Sequence, residues 1–307
     1  MNLFSRLNEL RNKHTFTKLC ASIRRTSPIN IIRNDAVTII SMVSHDAVDM
    51  YLVAIKSFMH QFRFGNIEVI NDGSLTQEDK EVLTYHVPGI AISDADIIDT
   101  LGCPTYISWK RLFRVIEISS YSYVIQLDSD TISLGPLIEV YNKVIKNEGF
   151  MIGSSKWNEP VDVRFLNYIV SNWNSTHVQP SVEAELVNME FFGDGTKYIR
   201  GCAGFAGYPR GSLSHKMVID LSRQVETRIG KIKWNKWGSE QTATNCLISK
   251  SKNPEILPWP KYRNYMMPPT NDPCNSATFI HFIGTNRFRD SAYHDSVVNF
   301  INNAMDD

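Results

Sequence analysis

Residues 123–131 read Y-V-I-Q-L-D-S-D-T, an apolar run that ends in two carboxylates, Asp128 and Asp130. The run is typical of a buried strand, and alternate side chains of a strand share a face, so the two acids can converge on one hard cation. In open α/β sheets, ligands bind beyond the carboxyl ends of the strands. The stretch therefore predicts a metal–diphosphate site. In the alternative interpretation, the two acids only start a turn before Gly135 and Pro136.

Strand and helix patterns alternate on both sides of this stretch. Strands are predicted at 37–43, 66–70 and 277–280, and helices at 46–62, 77–84, 106–118 and 213–228. Residues 202–207 are small and apolar. A further helix is predicted to begin near Gly238, with Ser239 as its N-cap. The alternation predicts an α/β fold with a mostly parallel sheet that is covered by helices on both faces.

Two stretches lack a clear period. Residues 157–200 are rich in Trp, Asn and Tyr, and they are longer than an ordinary connection. We interpret them as an insertion that shapes a pocket. Residues 254–273 are rich in proline and are predicted to be a loop.

The composition excludes several classes of protein. The chain of 307 residues has 32 basic and 32 acidic side chains, so no global field attracts it to nucleic acid. Its five cysteines are scattered and never spaced C-x-x-C, which favours a reducing cytoplasm over a disulfide framework. No apolar run approaches the ~20 residues that span a bilayer, and residues 1–34 lack the apolar core of a signal peptide. We expect a soluble or peripheral cytoplasmic protein.

Residues 1–34 form a basic arm with a single acid, Glu9. Apolar side chains recur in it at helical spacing: Leu3, Phe4, Leu7, Leu10, Phe16 and Leu19. Such a helix could lie on an anionic membrane surface, with its cations toward the headgroups. Alternatively, it could pack its apolar stripe on the main domain, residues 35–307, and leave its basic face in water.

A second chemical cluster follows the strand predicted at 277–280. It reads H-F-I-G-T-N-R and contains His281, Gly284 and Arg287. Neutral imidazole can be a third metal ligand, glycine allows the backbone to approach a phosphate, and arginine can bind phosphate oxygens with two donors. The cluster suits a diphosphate, although a histidine after a strand can also be purely structural.

D-x-D together with H-x-x-G-x-x-[KR] resembles the retaining glycosyltransferases of family eight, the group of glycogenin and the bacterial lipopolysaccharide galactosyltransferases. Three more segments are similar in the same order: Y-L-V-A-I-K-S at 51–57, Arg111-Leu112, and Glu240-Gln241. The resemblance covers residues 37–289 apart from 157–200. It implies a GT-A fold, with a Rossmann-like, mixed and mostly parallel sheet flanked by helices, and a nucleotide-sugar donor.

The resemblance also implies a metal site. It makes Asp128, Asp130 and His281 the ligands of Mn²⁺ or Mg²⁺ bridging the donor diphosphate, with the charge of the leaving diphosphate shared by Arg287. Ser129, between the two acids, and Gly284 are expected to contact the donor.

Other donor contacts are implied along the same cleft. Arg111 matches a family arginine that lies over the donor. Gln241 matches a family residue that lies under the anomeric carbon, and Glu240 matches an acid that holds the sugar hydroxyls. Asp46 follows the first strand, where the family binds the nucleoside. From the residues alone, Arg111 could equally belong to a solvated helix face, and Glu240 could simply favour the start of a helix dipole.

The chain departs from the family at two places. Arg287 and Phe288 stand where the family has lysine and proline, so a planar guanidinium with several donors replaces a compact ammonium group. Cys202-Ala203-Gly204 stands where Asn-Ala-Gly is usual, which removes an amide that would bind sugar.

Two alternatives remain open. Asn71-Asp72-Gly73-Ser74 resembles the inverting GT-A transferases of family two, which need a general base such as Asp162, Glu183 or Glu185. A catalytically inactive carbohydrate-binding protein of the same fold could use stacking on aromatic side chains, namely Trp157, Tyr168 and Trp173.

We therefore expect a metal-dependent glycosyltransferase that uses a UDP-sugar and a glycan or glycolipid acceptor in cell-surface polysaccharide synthesis, for example of lipopolysaccharide. We expect it in the cytoplasm, with peripheral contact to the inner membrane face through the N-terminal arm.

Overall fold

The structure is a computed structural model that describes residues 3–265, 276–284 and 286–306. Its α-helices are α1 (Leu3–Cys20), α2 (Val48–Phe62), α3 (Gln77–His86), α4 (Ile107–Ser119), α5 (Ile138–Lys146), α6 (Val163–Val170), α7 (Val178–Glu183), α8 (His215–Ile229), α9 (Lys231–Trp234), α10 (Ser239–Ser249) and α11 (Ala292–Asp306). Its strands are β1 (Val37–Val43), β2 (Asn66–Asn71), β3 (Ala91–Asp94), β4 (Tyr123–Leu127), β5 (Thr131–Ser133), β6 (Phe150–Ile152), β7 (Cys202–Tyr208), β8 (Glu255–Leu257), β9 (Tyr262–Asn264) and β10 (Phe279–His281).

The main sheet of the described residues has the strand order β3-β2-β1-β4-β7-β6-β8. Strand β7 runs antiparallel to both β4 and β6, and the other neighbouring pairs are parallel. The predicted mixed, mostly parallel sheet is therefore confirmed. Because β1 and β4 are parallel neighbours, their carboxyl ends lie at the same edge, and the chain reaches Asp128 and Asp130 there.

The central strands are apolar on both faces because helices cover both sides. In β4, Ile125 belongs to the core cluster that contains Tyr51 and Phe58 of α2, whereas Val124 belongs to the cluster that contains Trp109 of α4. All five residues of β4 are buried. This burial holds the end of β4, and with it the two acids, in a fixed place.

A second sheet, in the order β5-β10-β9, places the C-terminal cluster beside the acids. Strand β10 is antiparallel to β5, with His281 opposite Thr131, and parallel to β9. The backbone N–H of Phe282 donates to the carbonyl of Asp130 at 2.8 Å. This pairing brings His281 next to Asp130, although the two residues are 151 positions apart in the sequence.

Two local predictions need correction. Ser239 is not an N-cap: the N-cap of α10 is Gly238, at φ +90°, and the buried Ser239 hydroxyl instead accepts a hydrogen bond from Trp109 Nε1 at 2.8 Å. Residues 254–273 are not all loop, because they contain β8 and β9. Residues 266–273 of that stretch lie outside the described part of the chain. The insertion at 157–200 contains α6 and α7.

The basic arm contains α1, whose C-terminal half packs on α11, followed by a short 3₁₀ helix, Ala21–Arg25. Phe16 is buried and its ring centroid lies 4.3 Å from that of Tyr293. Arg11, Lys13 and Lys18 are exposed. The side chains of Leu3, Phe4 and Leu7, part of the predicted apolar stripe, lie outside the described residues. No described helix is both long and apolar enough to cross a bilayer. The division of the chain into an N-terminal arm, residues 1–34, and a main domain, residues 35–307, remains a prediction.

Candidate metal centre

Three potential metal ligands converge where β4 and β10 end. Asp128, Asp130 and His281 each offer a ligand atom, and these atoms lie within 4.8 Å of one another. His281 Nε2 lies 3.1 Å from Asp130 Oδ1 and 3.9 Å from Asp128 Oδ2. The acids do also begin a turn, in which the Thr131 hydroxyl donates to the Asp128 carbonyl at 2.8 Å. The turn and the cluster are thus compatible.

His281 is oriented by two neighbours on its other ring nitrogen. Nδ1 lies 2.9 Å from Asn264 Oδ1 and 3.4 Å from Cys202 Sγ. The amide oxygen accepts the Nδ1 proton, so Nε2 faces the carboxylates, as a metal-binding imidazole requires. The sequence does not mark Asn264 as a site residue, because the proline-rich stretch around it predicts only a loop.

Arginines neutralise both carboxylates. Arg111 Nη1 lies 2.5 Å from Asp128 Oδ1, and Arg287 donates to Asp130 Oδ2. Burial alone would raise the pKa of Asp130, but the positive charges of His281 and Arg287 outweigh it and lower this pKa. Burial alone would likewise lower the pKa of His281, yet the Asp130 carboxylate raises it well above its ordinary value. The cluster is therefore a balanced set of ionised groups.

Glu240 is a buried acid at the start of α10. Its Oε1 lies 3.5 Å from Arg111 Nη2, within ion-pair distance, but has no hydrogen-bond partner among the described residues. Burial raises the pKa of this carboxyl, and attraction by Arg111 only partly offsets that effect. An unsatisfied carboxylate oxygen beside an open cleft is a ready acceptor for a hydroxyl of a bound molecule.

Gln241, the next residue, belongs to a polar chain that leads into the insertion. Its Nε2 donates to Gln179 Oε1 at 3.0 Å, and Gln179 Nε2 donates to Glu183 Oε1 at 2.8 Å. Glu183 is fully buried and pairs with Arg200 at 2.9 Å. These bonds fix the orientation of the Gln241 amide.

These side chains line one cleft of about 790 Å³. Eight of the site residues predicted from the sequence line this cleft: Arg111, Asp128, Asp130, Glu240, Gln241, His281, Gly284 and Arg287. Asp46 and Ser129 are not among its lining residues: Asp46 is exposed in the short 3₁₀ helix after β1, and Ser129 is half-buried. These two contacts remain predictions.

The insertion supplies one wall of the cleft, as expected of a pocket-shaping segment. Its lining side chains include Trp157, Trp173, His177 and Arg200. The Arg200 guanidinium lies over both indoles, at 5.2 and 5.3 Å from the ring centroids. Sequence reasoning missed Trp237, which also lines the cleft, since nothing in its local pattern marks it.

Gly204 of β7 lies against the imidazole of His281. A Cβ built on Gly204 would lie 2.3 Å from His281 Cε1, and the ring cannot retreat without breaking its bonds to Asn264 and Asp130. We therefore expect Gly204→Ala to lower the free energy of unfolding by about 1–3 kcal/mol. Urea denaturation measures this change.

The matched control is Gly135→Ala, whose new methyl group would meet, among the described residues, only Thr278 Oγ1, at 3.7 Å. We expect a change of about 0.5 kcal/mol or less for it. Equal stability of the two variants would contradict the close contact at His281.

Comparisons with known proteins bear on the fold. No protein-family profile and no curated protein matches the sequence. Among solved structures, the galactosyltransferase LgtC in complex with donor and acceptor sugar analogues has a TM-score of 0.52 at 13% identity, over 85% of this chain and 95% of LgtC.

Two further structures are similar. An LgtC variant in which an active-site glutamine is replaced by glutamate gives a TM-score of 0.52 at 12% identity, over 87% of this chain and 96% of LgtC. Mouse xyloside xylosyltransferase 1 has a TM-score of 0.48 at 11% identity, over 83% of this chain and 99% of the xylosyltransferase. The match to LgtC confirms the predicted fold: the chain has the same GT-A fold as LgtC.

Proposed function

We propose that the protein is a metal-dependent glycosyltransferase that moves a sugar from a nucleoside-diphosphate donor, a UDP-sugar, to a glycan or glycolipid acceptor in cell-surface polysaccharide synthesis. The observation that carries this proposal is the convergence of Asp128, Asp130 and His281, with an arginine on each carboxylate, at one edge of a GT-A sheet. The LgtC structure was determined with donor and acceptor sugar analogues, which supports the same type of ligand here.

The residues fit a divalent ion such as Mn²⁺ or Mg²⁺. Asp128 and Asp130 would supply carboxylate oxygens and His281 its Nε2, because Nδ1 is taken by Asn264. Three protein ligands leave coordination positions for phosphate oxygens and water. Such an ion, when bound, would neutralise the negative charge of the departing diphosphate.

Arg111 and Arg287 supply the remaining positive charge. Each now donates to a carboxylate of the cluster, and each lines the cleft. In the donor complex, we expect the guanidinium of Arg287 to donate hydrogen bonds to both Asp130 and a phosphate oxygen. The second bond would stabilise the charge that develops on the leaving group. Gly284 exposes backbone at the same place.

Glu240 and Gln241 are proposed to hold the sugar. Oε1 of Glu240, which has no hydrogen-bond partner among the described residues, would accept a bond from a sugar hydroxyl. Gln241 is held by Gln179 with its amide in the cleft, and an active-site glutamine of LgtC was the target of mutagenesis. We propose that Gln241 lies beneath the anomeric carbon.

We propose transfer with retention of configuration. The bond between the anomeric carbon and the diphosphate breaks, and its electron pair leaves with the diphosphate. The acceptor oxygen then bonds to the same face of that carbon and passes its proton to the departing phosphate oxygen. The carboxylates considered as a base for inversion are engaged elsewhere: Asp162 caps α6, Glu183 pairs with Arg200, and Glu185 lies near Arg228.

Asn71-Asp72-Gly73-Ser74 has a structural role that explains its composition. Asn71 Oδ1 accepts bonds from the backbone N–H groups of Gly73 and Leu75, and Gly73 has φ +103°. The four residues do not line the cleft. Their similarity to the family-two motif therefore reflects turn chemistry.

Replacing a cluster ligand by an uncharged amide side chain should slow metal-dependent chemistry. We expect Asp130→Asn and His281→Gln each to slow Mn²⁺-dependent hydrolysis of a UDP-sugar by at least about 10²-fold, because charge stabilisation at the diphosphate is lost. Release of UDP with Mn²⁺, compared with release in EDTA, measures the effect. The control is His294→Gln on α11, which should hydrolyse at the wild-type rate; wild-type rates in both cluster variants would contradict the proposal.

Glu240→Gln separates sugar binding from metal binding. The neutral amide removes a buried charge with an unsatisfied oxygen, so we expect stability to be unchanged or higher while donor hydrolysis falls about 10²-fold. Mn²⁺ affinity, measured by calorimetry, should persist. The exposed Glu81→Gln is the control, and a Glu240 variant with undiminished hydrolysis would remove Glu240 from the sugar site.

A further inference from the structure

The segment from Lys231 to Trp237, which links α8 to α10, presents two large apolar side chains to solvent. Ile232 is 86% exposed and Trp237 is 68% exposed. Exposure of single apolar side chains is common in proteins. Here, however, two such side chains lie within one short, basic segment.

The segment carries three lysines without ionic partners. Lys231 and Lys236 are exposed and Lys233 is half-buried, and none forms an ion pair with a carboxylate of the described residues. Elsewhere, Lys216 pairs with Asp220 and Lys250 with Asp194. The segment is therefore a local excess of positive charge in a chain of zero net charge.

The exposed side chains are held out by a rigid anchor. Trp234, between them, is fully buried, its ring packs edge-on against Trp109 at 5.2 Å, and its Nε1 donates to Ser222 at 2.9 Å. Asn235 Oδ1 accepts from the backbone N–H of Thr105 at 3.0 Å. The segment cannot fold its apolar side chains inward without breaking these contacts.

The segment borders the mouth of the cleft. Trp237 lines the cleft, and its ring centroid lies 5.5 Å from that of His177 on the insertion. The adjacent Thr176 lines a surface depression with Lys231, Ile232, Lys233 and Lys236. A surface that contacts this segment would therefore face the opening of the cleft.

We propose that the segment from Lys231 to Trp237 docks on the surface of an anionic lipid bilayer. Lysines on either side of the apolar side chains match acidic headgroups, while isoleucine and tryptophan enter the interfacial region that favours such side chains. Two apolar side chains bury too little area for a stable protein interface, which favours a bilayer over a second copy of the chain. The proposal does not depend on the catalytic one, and it assigns membrane contact to a surface other than the N-terminal arm.

The test is co-sedimentation of the full chain with phosphatidylcholine vesicles that contain, or lack, phosphatidylglycerol. We expect binding only to the anionic vesicles, and weaker binding at high salt. Since each basic side chain near such a surface strengthens binding about fivefold, Lys231→Gln, Lys233→Gln and Lys236→Gln together should weaken it by about 10²-fold. Thermal melting verifies that the variant is folded.

The matched control removes three cations from α1, as Arg11→Gln, Lys13→Gln and Lys18→Gln, and should leave binding unchanged. A second pair compares Ile232→Ser, which should weaken binding at both low and high salt, with Ile97→Ser, at a similarly exposed isoleucine (79%) elsewhere that should leave binding unchanged. Failure of the wild-type chain to bind anionic vesicles, undiminished binding by the lysine variant, or loss only in the α1 variant would each overturn the proposal. So would self-association without vesicles that the lysine variant abolishes, because the surface would then bind a second copy.

Discussion

The pairing of β10 with β5 is the constraint on which the candidate site depends. β5 begins at Thr131, directly after the second acid, and the antiparallel register sets His281 opposite it. The bond from Phe282 N–H to the Asp130 carbonyl continues this pairing up to the acid itself. A shift of one residue would turn His281 to the opposite face of the small sheet and separate it from the carboxylates.

The same edge brings several buried and half-buried charges close together. A buried carboxylate is costly unless it is paired, and here Asp128, Asp130 and Glu240 are balanced by Arg111, Arg287 and His281. A divalent ion and a diphosphate would bring opposite charges into this set, so the arginines could exchange carboxylate for phosphate without leaving a charge unpaired. Such an exchange would allow the cluster to be stable alone and also to bind the proposed charged donor.

The part of this architecture that depends on local pattern could be predicted from the sequence. The apolar run of β4 ending in Asp128 and Asp130, and the alternation around it, follow from burial on both faces of the sheet. Asn264 could not be predicted, because it reaches His281 through a pairing of β9 with β10 that leaves no local signal. The N-cap prediction for Ser239 is wrong because its hydroxyl accepts a hydrogen bond from Trp109 of α4, a tertiary contact that overrides capping preference.

The cleft thus combines a rigid sheet edge, a set of paired charges and a wall supplied by the insertion. The most direct test of its role is a thermal-shift measurement with UDP in the presence and absence of Mn²⁺, since a ligand that binds only the native state raises the melting temperature. We expect a large shift with UDP and Mn²⁺ together and a much smaller one with either alone. An unchanged melting temperature with UDP and other nucleoside diphosphates, in both Mn²⁺ and Mg²⁺, would contradict it.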